Sequence, residues 1–138
     1  MALLSFTKKA DYGLVILTAL AEKGKGVKVS LGDLVAAKKV PKAFGAQIGR
    51  ALVEAGIIGS KEGRGGGYFL AKDPEKISLK KVLTAIEGEV AIVACAIHGH
   101  RCPMEKVCSQ RGFMQKFTKE IEGILESYKV SDLIKKNR

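Results

Sequence analysis

Three cysteines lie close together in a chain that has no others: Cys95, Cys102 and Cys108. Thiolates gathered in one short segment are good ligands for soft metals and iron–sulfur clusters. An odd number of cysteines argues against a closed set of disulfide bonds. Their loose spacing suits a cluster, whereas zinc ribbons prefer paired Cys-x-x-Cys knuckles. The sequence therefore predicts a metal or cluster site with three cysteine ligands and one open position.

The open position has local candidates. His98 and His100 lie between Cys95 and Cys102, although a loop histidine is more often simply solvated. The alternative for the cysteines themselves is burial as small hydrophobic side chains. That alternative is disfavoured because the same segment carries two histidines, an arginine and a proline, which are not typical of a core.

Before the cysteines, helix and turn signals alternate along the chain. We expect a first helix that ends near Lys23 after a cap at Ser5 or Thr7. The further expected elements are helices from Leu31 to about Lys38 (capped by Ser30), from Pro41 to Gly56 and from Leu79 to Ile86 (capped by Ser78), and strands near Ile57–Lys61 and Tyr68–Ala71. This order predicts a winged helix-turn-helix fold, mainly α with a small β-hairpin.

An apolar stripe follows the cysteines, along an expected long helix capped by Ser109. Its members recur at spacings of three and four: Phe113, Met114, Phe117, Ile121, Ile124, Leu125 and Tyr128. The stripe either packs on its own domain or pairs with a second copy. Because it is long and follows a complete small domain, we expect dimerisation through Phe113, Phe117, Ile121, Ile124, Leu125 and Tyr128.

The chain thus divides into three expected parts. Residues 1–88 form the winged-helix domain, 89–108 the cysteine-containing loop, and 109–138 the dimerisation helix with the C-terminal segment. The formal net charge is +10, and residues 1–88 carry 15 Lys and Arg against 8 Asp and Glu. A basic domain attracts polyanions, of which nucleic acid is the commonest in a cytoplasm. Charge alone also serves solubility, so the order of helices is needed to favour DNA.

Two of the expected elements suit double-stranded DNA. The third helix offers polar side chains that can read base edges or neutralise phosphates in the major groove. The hairpin turn sets an arginine among glycines, so that its backbone can approach a groove closely. The expected DNA contacts are Lys42, Ala43, Gln47 and Arg50 on the helix, and Lys61, Arg64, Gly65 and Gly66 on the hairpin.

Other classes of protein are disfavoured. No run approaches the roughly 18 apolar residues of a membrane span, and the start lacks the pattern of a signal peptide. Free thiols fit a reducing cytoplasm. No nucleophile–base pair or paired catalytic carboxylates stand out, and the glycine-rich turn lacks the Lys-Ser/Thr of a phosphate loop. We therefore expect a cytoplasmic protein that is not an enzyme and has no membrane partner.

Several segments carry a family likeness over nearly the whole chain. They are Phe6–Leu14, Val29–Leu34, Pro41–Ile48, Leu52–Ile57, the wing Gly63–Leu70, Ile77–Gly88, the three cysteines and Val130–Leu133. In these segments the chain resembles the IscR/NsrR family of iron–sulfur winged-helix transcription regulators. The Gly-Gly-Gly-Tyr wing together with three spaced cysteines is a specific combination.

The resemblance implies a homodimer that binds palindromic promoter DNA. It also implies an iron–sulfur cluster near the dimer interface, with 4Fe–4S favoured and 2Fe–2S the other option. Some members take the fourth ligand from a histidine three residues after the third cysteine, where this chain has Arg111. Others use an aspartate in the first helix of the partner subunit, with which Asp11 aligns.

The resemblance therefore implies a transcriptional repressor whose promoter binding is controlled by its cluster. The cluster would sense nitric oxide, oxygen or redox state, or iron–sulfur status. The alternative is a winged-helix regulator that uses its cysteines as a thiol redox switch or zinc site, without iron.

The third helix departs from the family pattern. Gly45 and Gly49 stand where members usually carry bulky apolar residues, and each mid-helix glycine costs about 1 kcal/mol relative to alanine. Ala46 stands where some members carry an acidic residue. The sequence therefore predicts a less rigid recognition helix, and the family's target sequence does not carry over.

Overall fold

The computed structural model describes residues 6–93, 101–104 and 106–135. Within these ranges the chain is mainly helical with one antiparallel hairpin, as the sequence predicts. The elements are α1 (Lys8–Lys23), α2 (Leu31–Lys38), α3 (Lys42–Glu54), β1 (Ile58–Lys61), β2 (Gly67–Leu70), α4 (Leu79–Glu87), α5 (Arg111–Ser127) and α6 (Val130–Lys135). A short 3₁₀ turn, Pro74–Lys76, leads from the hairpin into α4.

Three helices begin at side-chain caps that local sequence signals predict. The Oγ atoms of Thr7, Ser30 and Ser78 each accept a hydrogen bond of 3.1 Å from the backbone N–H three residues later. Each bond satisfies one amide that would otherwise lack a partner in the first helical turn. Ser5, the other cap expected for α1, lies outside the described residues.

The cap expected for the long helix is wrong. Helix α5 begins at Arg111, and the preceding residue, Gln110, has helical backbone angles and makes no capping hydrogen bond through its side chain. A side-chain cap needs an extended backbone at the residue just before the helix. Ser109 therefore lies one position too early, although it is the better capping residue by type.

The hydrophobic core lies where α1, α3, α4 and the hairpin meet. Its most buried side chains expose at most 2% of their surface and are Ile16, Leu17, Leu20, Ile48, Leu52, Ile57, Ile58, Leu70, Ile77, Val82 and Val130. Ile48 and Leu52 are four residues apart and so lie on one face of α3. Burial of that face fixes α3 in the domain and turns its opposite face to solvent.

Helix α6 returns the chain to this core, which the sequence pattern does not predict. Tyr128 has extended backbone angles and ends α5. The Asp132 carboxylate then accepts a hydrogen bond of 2.8 Å from the Lys129 amide, and this bond closes the first turn of α6. The Val130 N–H donates to the Ile77 carbonyl at 2.9 Å, so the segment after α5 is tied to the residues just before α4.

Candidate nucleic-acid interface and cysteine segment

The residues expected to contact DNA on α3 share its solvent face. Lys42, Ala43, Gln47 and Arg50 are exposed, whereas Ile48 on the opposite face is fully buried. Lys42 and Ala43 lie in the first turn, and Gln47 and Arg50 lie one and two turns further along. The helix therefore presents one amide and two cations to solvent along a single accessible surface.

The wing is the hairpin of β1 and β2 together with the tight turn that joins them. The strands pair in antiparallel register from Ile58 opposite Leu70 to Lys61 opposite Gly67. Gly63 and Gly65 have φ values of 88° and 75°, a region that favours glycine. Lys61, Arg64 and Gly65 are exposed and Gly66 is half-buried. The turn therefore projects Arg64 into solvent from a backbone with little side-chain bulk around it.

The cations of α3 and the wing keep their charge available. Lys42, Arg50, Lys61 and Arg64 form no ion pair with any other residue that the structure describes. Arg64 is flanked by glycines, and the nearest acidic residue in the turn is Glu62. A cation without an internal partner can neutralise a DNA phosphate and release the counterion bound there, and no salt bridge within the protein has to break first.

Gly49 joins α3 directly to the wing. A Cβ at this buried position would lie 2.7 Å from the Tyr68 Oη and 2.8 Å from its Cζ. Tyr68 belongs to β2, so its ring lies against the helix backbone where any other residue would hold it away. From the sequence alone, Gly49 is predicted to make α3 less rigid. In the structure, Gly49 is the position at which α3 contacts the wing.

Gly45 has the same role toward α2. Its Cβ would lie 2.6 Å from Val35 Cγ1 and 3.2 Å from Leu31 Cδ1, both on α2. The two helices of the helix-turn-helix therefore approach closely at this point. The helix-propensity cost of the two glycines is accompanied by tight packing on both sides of α3.

The start of α1 touches both the recognition helix and the end of α4. The Tyr12 and Phe44 rings lie 5.5 Å apart between centroids, which links α1 to the first turn of α3. The Thr7 hydroxyl donates to the Glu87 carboxylate in the last turn of α4. Asp11 lies between Thr7 and Tyr12 in the first turn of α1 and is exposed to solvent.

The cysteine segment is described in part. Cys102 and Cys108 are free thiols, both half-buried. Between them Met104 exposes 59% and Val107 78% of its surface. Cys95, His98 and His100 lie outside the described residues. Among the residues that are described, no group of three or more His, Cys, Asp or Glu side chains is placed to hold a metal ion.

The donor chemistry of the described thiols nevertheless fits an iron–sulfur cluster. Cys102 and Cys108 are not in a disulfide with each other, and soft thiolates are the usual ligands of such clusters. Two thiols are too few to hold a cluster, so a cluster here would also need Cys95 and a further group as ligands.

The apolar stripe of α5 is only partly covered by its own chain. Phe113, Ile124 and Tyr128 expose 65%, 54% and 55% of their surface, and Phe117, Ile121 and Leu125 are half-buried. The Phe113 and Phe117 rings stack with centroids 5.8 Å apart. On α5 itself the one fully buried described residue is Thr118. Helix α4 therefore covers one side of α5 and leaves an aromatic face open.

In the described ranges, no helix combines the length and hydropathy that a membrane crossing requires.

Comparisons with known proteins bear on the chain as a whole. The family model Rrf2, described as an iron-dependent transcriptional regulator, matches residues 6–136. The HTH-type transcriptional regulator NsrR of Geobacillus kaustophilus is 28% identical over 132 residues, which cover 95% of this chain and 90% of that protein. Protein rrf2 of Nitratidesulfovibrio vulgaris is 29% identical over 132 residues, which cover 96% and 88%.

Solved structures share the fold. T. potens IscR superposes with a TM-score of 0.72 at 25% identity, covering 96% of this chain and 87% of that chain. CymR, the global cysteine regulator of B. subtilis, superposes with a TM-score of 0.73 at 24% identity, covering 95% and 96%. At that identity the second likeness concerns the fold alone.

Proposed function

The chain belongs to the Rrf2 family of transcriptional regulators, and from that premise we propose that it is a homodimeric repressor whose promoter binding is controlled by an iron–sulfur cluster. As a member of that family it is a DNA-binding transcriptional regulator and not an enzyme, in agreement with the expectation from sequence. The observation that carries the proposal is the set of cations on α3 and the wing that pair with no described residue. Gly49 and Tyr68 hold these two elements in direct contact.

This arrangement suits the two grooves of a DNA duplex. The solvent face of α3 can lie in the major groove, where Gln47 and Arg50 meet base edges and Lys42 meets a phosphate. The wing can then reach the neighbouring minor groove with Arg64. Two copies related by a two-fold axis would read a palindromic operator, because each half-site meets the same pair of elements.

The open face of α5 supports the homodimer. Phe113, Ile124 and Tyr128 form an exposed aromatic and aliphatic row that a water-soluble monomer would rarely leave uncovered. A second α5 packed antiparallel on this row would cover both copies at once, as a two-fold interface requires. The interface proposed is therefore the row of Phe113, Phe117, Ile121, Ile124, Leu125 and Tyr128.

We assign the cluster to Cys95, Cys102 and Cys108, with a 4Fe–4S cluster favoured. When bound, such a cluster supplies a group that reacts with nitric oxide or oxygen, which suits a sensor. The exposed Met104 and Val107 between the second and third cysteines give the segment apolar side chains that can exclude water from the site once the dimer forms. Asp11 of the partner subunit is the proposed fourth ligand.

The contacts of α1 give this ligand a path to the DNA-reading helix. Asp11 directly precedes Tyr12 in α1, and the Tyr12 ring contacts Phe44 of α3. On its other side Thr7 is bonded to Glu87, directly before the cysteine-containing segment. A change at Asp11 would therefore act on α1, and through it on α3 and on the spacing of the paired recognition helices.

The DNA-reading surface makes a first test. Replacing Gln47 or Arg64 with alanine should weaken specific binding by about 1–3 kcal/mol each, because each change removes a base contact. Lys42→Ala should instead weaken binding to all sequences and flatten its salt dependence, because it removes a phosphate contact. Fluorescence anisotropy with the protein's own promoter region and a scrambled duplex, over a range of salt, measures both effects.

Two readouts accompany that test. Sedimentation should give the mass of a dimer, and thermal unfolding should be unchanged, since all three side chains are exposed. A wild-type protein with no salt-dependent preference for its promoter over the scrambled duplex would contradict the proposal.

A second test concerns the fourth ligand. Asp11→Ala should still assemble a cluster on three cysteines under anaerobic conditions, but with an altered visible spectrum, because one iron loses a carboxylate ligand. Its binding to promoter DNA should be weaker or no longer respond to loss of the cluster. Asp33→Ala is a matched control, since Asp33 is an exposed acid in the first turn of α2 and also interacts with its helix dipole.

His98→Ala and His100→Ala should leave the spectrum nearly unchanged. A histidine variant that alters the spectrum, combined with a silent Asp11→Ala, would move the ligand into the cysteine-containing loop and remove the coupling through α1.

A further inference from the structure

The loop before α2 is fastened to the wing. The Val29 N–H donates to the Tyr68 carbonyl and the Tyr68 N–H donates to the Val29 carbonyl, both at 2.8 Å. The Gly26 N–H donates to the Leu70 carbonyl at 3.1 Å. The loop therefore runs beside β2 like a third strand, and a side chain on it moves with the wing.

Lys28 lies on this fastened loop and faces the tip of the wing. A groove of about 960 Å³ runs between the wing, the loop, α2 and the end of α1, and Lys28 lines it together with Gly65 and Gly66. The glycines leave this wall of the groove without side-chain bulk. Lys28 is thus placed alongside the turn that carries Arg64, which points from the same turn into solvent.

The charges around the groove leave Lys28 without an internal counter-ion. Glu22 lies 3.8 Å from the Lys38 ammonium and is paired with it. Asp33 also lines the groove and lies at the positive end of its own helix, where an acid is stabilised. Lys28 forms no ion pair within the part of the chain that the structure describes.

A side chain that enters the minor groove has a phosphate backbone on each side of it. The groove is only about 6 Å wide, so a cation beside the entering turn meets the flanking phosphates. Lys28 has that position relative to Arg64, and its backbone is held by the two bonds between Val29 and Tyr68. Its backbone is therefore already ordered, and binding a phosphate costs only the freedom of its side chain.

We propose that Lys28 binds a DNA phosphate beside the wing and so positions the wing on the duplex. The inference rests on the proposed function, since it concerns the same DNA. It adds to α3 and the wing a third contact element, the loop 24–29, which the sequence does not single out. A phosphate contact is sequence-independent, so Lys28 should contribute to affinity for every duplex.

The test compares Lys28→Ala with wild type and with Lys119→Ala, an exposed lysine on α5 that removes the same charge away from the groove. The probe is a labelled random-sequence duplex of about 30 base pairs, roughly three helical turns. Affinity is measured by anisotropy over a salt series. Lys28→Ala should lower the affinity about tenfold at low salt, and the slope of log K against log salt should fall by about 0.9, as for the loss of one phosphate contact.

Lys28→Arg should restore both affinity and slope, because the charge returns. An unchanged slope in Lys28→Ala, or an equal change in Lys119→Ala, overturns the inference while the proposed function stands. If the wild-type protein binds no duplex with salt dependence, the proposed function itself fails, and the inference fails with it.

Discussion

Alanine in place of Cys95, Cys102 or Cys108 should abolish the visible absorption of the iron–sulfur cluster and leave the helical fold intact. Each change removes one thiolate from the proposed three-cysteine site, and no other cysteine in the chain can replace it. The fold should persist because the hydrophobic core is built from residues of α1, α3, α4, α6 and the hairpin, and Cys102 and Cys108 are only half-buried.

The measurement is anaerobic purification followed by visible spectra and by iron and sulfide analysis. Circular dichroism and thermal unfolding of each variant show that the fold is kept. The wild-type cluster should be lost or altered on addition of nitric oxide or oxygen, with a parallel change in promoter binding. Serine variants make a stricter comparison, since they keep the size of the side chain while removing the thiolate.

Two results would contradict the assignment in different ways. A variant with full iron and sulfide content would remove that cysteine from the ligand set. A wild-type protein with no iron or sulfide after anaerobic purification would favour the alternative regulator with a thiol switch or zinc site. The free, half-buried state of Cys102 and Cys108 is compatible with that chemistry. Zinc analysis would then test for the zinc site, and reversible oxidation of the thiols would test for the redox switch.

Local signals explain how much of the fold can be predicted from sequence. Thr7, Ser30 and Ser78 bond to amides three residues away, so the signal and its effect lie within one turn. The apolar spacing that buries Ile48 and Leu52 is likewise local to α3. These features place the helices, and with them the exposed face that carries Gln47 and Arg50.

Contacts between distant parts of the chain are harder to predict from the sequence. The sequence indicates only that Gly49 destabilises its helix, because the Tyr68 ring that packs against it comes from β2. Helix α6 is short, and its attachment to Ile77 is a tertiary contact with no periodic signal. Lys28 is one lysine among many in a basic chain, and only the backbone bonds that its neighbours Gly26 and Val29 make with β2 distinguish it. The contact between Gly49 and Tyr68 has one possible sequence signal, a glycine in the third helix followed by an aromatic residue in the wing.

The packing of Tyr68 on Gly49 leads to the second large effect. Alanine at an ordinary helix position is about 1 kcal/mol more stable than glycine. At Gly49 the added Cβ would lie 2.7 Å from Tyr68 Oη, and overpacking of this kind costs about 1–3 kcal/mol. Gly49→Ala should therefore lower the free energy of unfolding, while Gly123→Ala should raise it, because a Cβ at Gly123 on α5 meets nothing within 4 Å.

DNA binding should respond more strongly than stability. To relieve the contact the Tyr68 ring or α3 must shift, and the part of this shift that the ring cannot absorb moves β2 and the wing turn relative to α3. Arg64 would then no longer reach the minor groove while α3 occupies the major groove. Gly49→Ala should lose preference for the promoter and keep its binding to random duplexes, whose phosphate contacts tolerate a displaced wing.

A double-mutant cycle separates this steric coupling from a general weakening of α3. Tyr68→Ala removes the ring that the new methyl group meets, so Gly49→Ala should no longer be destabilising in that background and should show the usual gain of alanine over glycine. Chemical denaturation gives the coupling free energy, and anisotropy with promoter and random duplexes gives its effect on specificity. Additive effects of the two changes on stability would mean that Gly49 and Tyr68 act independently, and the contact between helix and wing would then not be what sets their relative position.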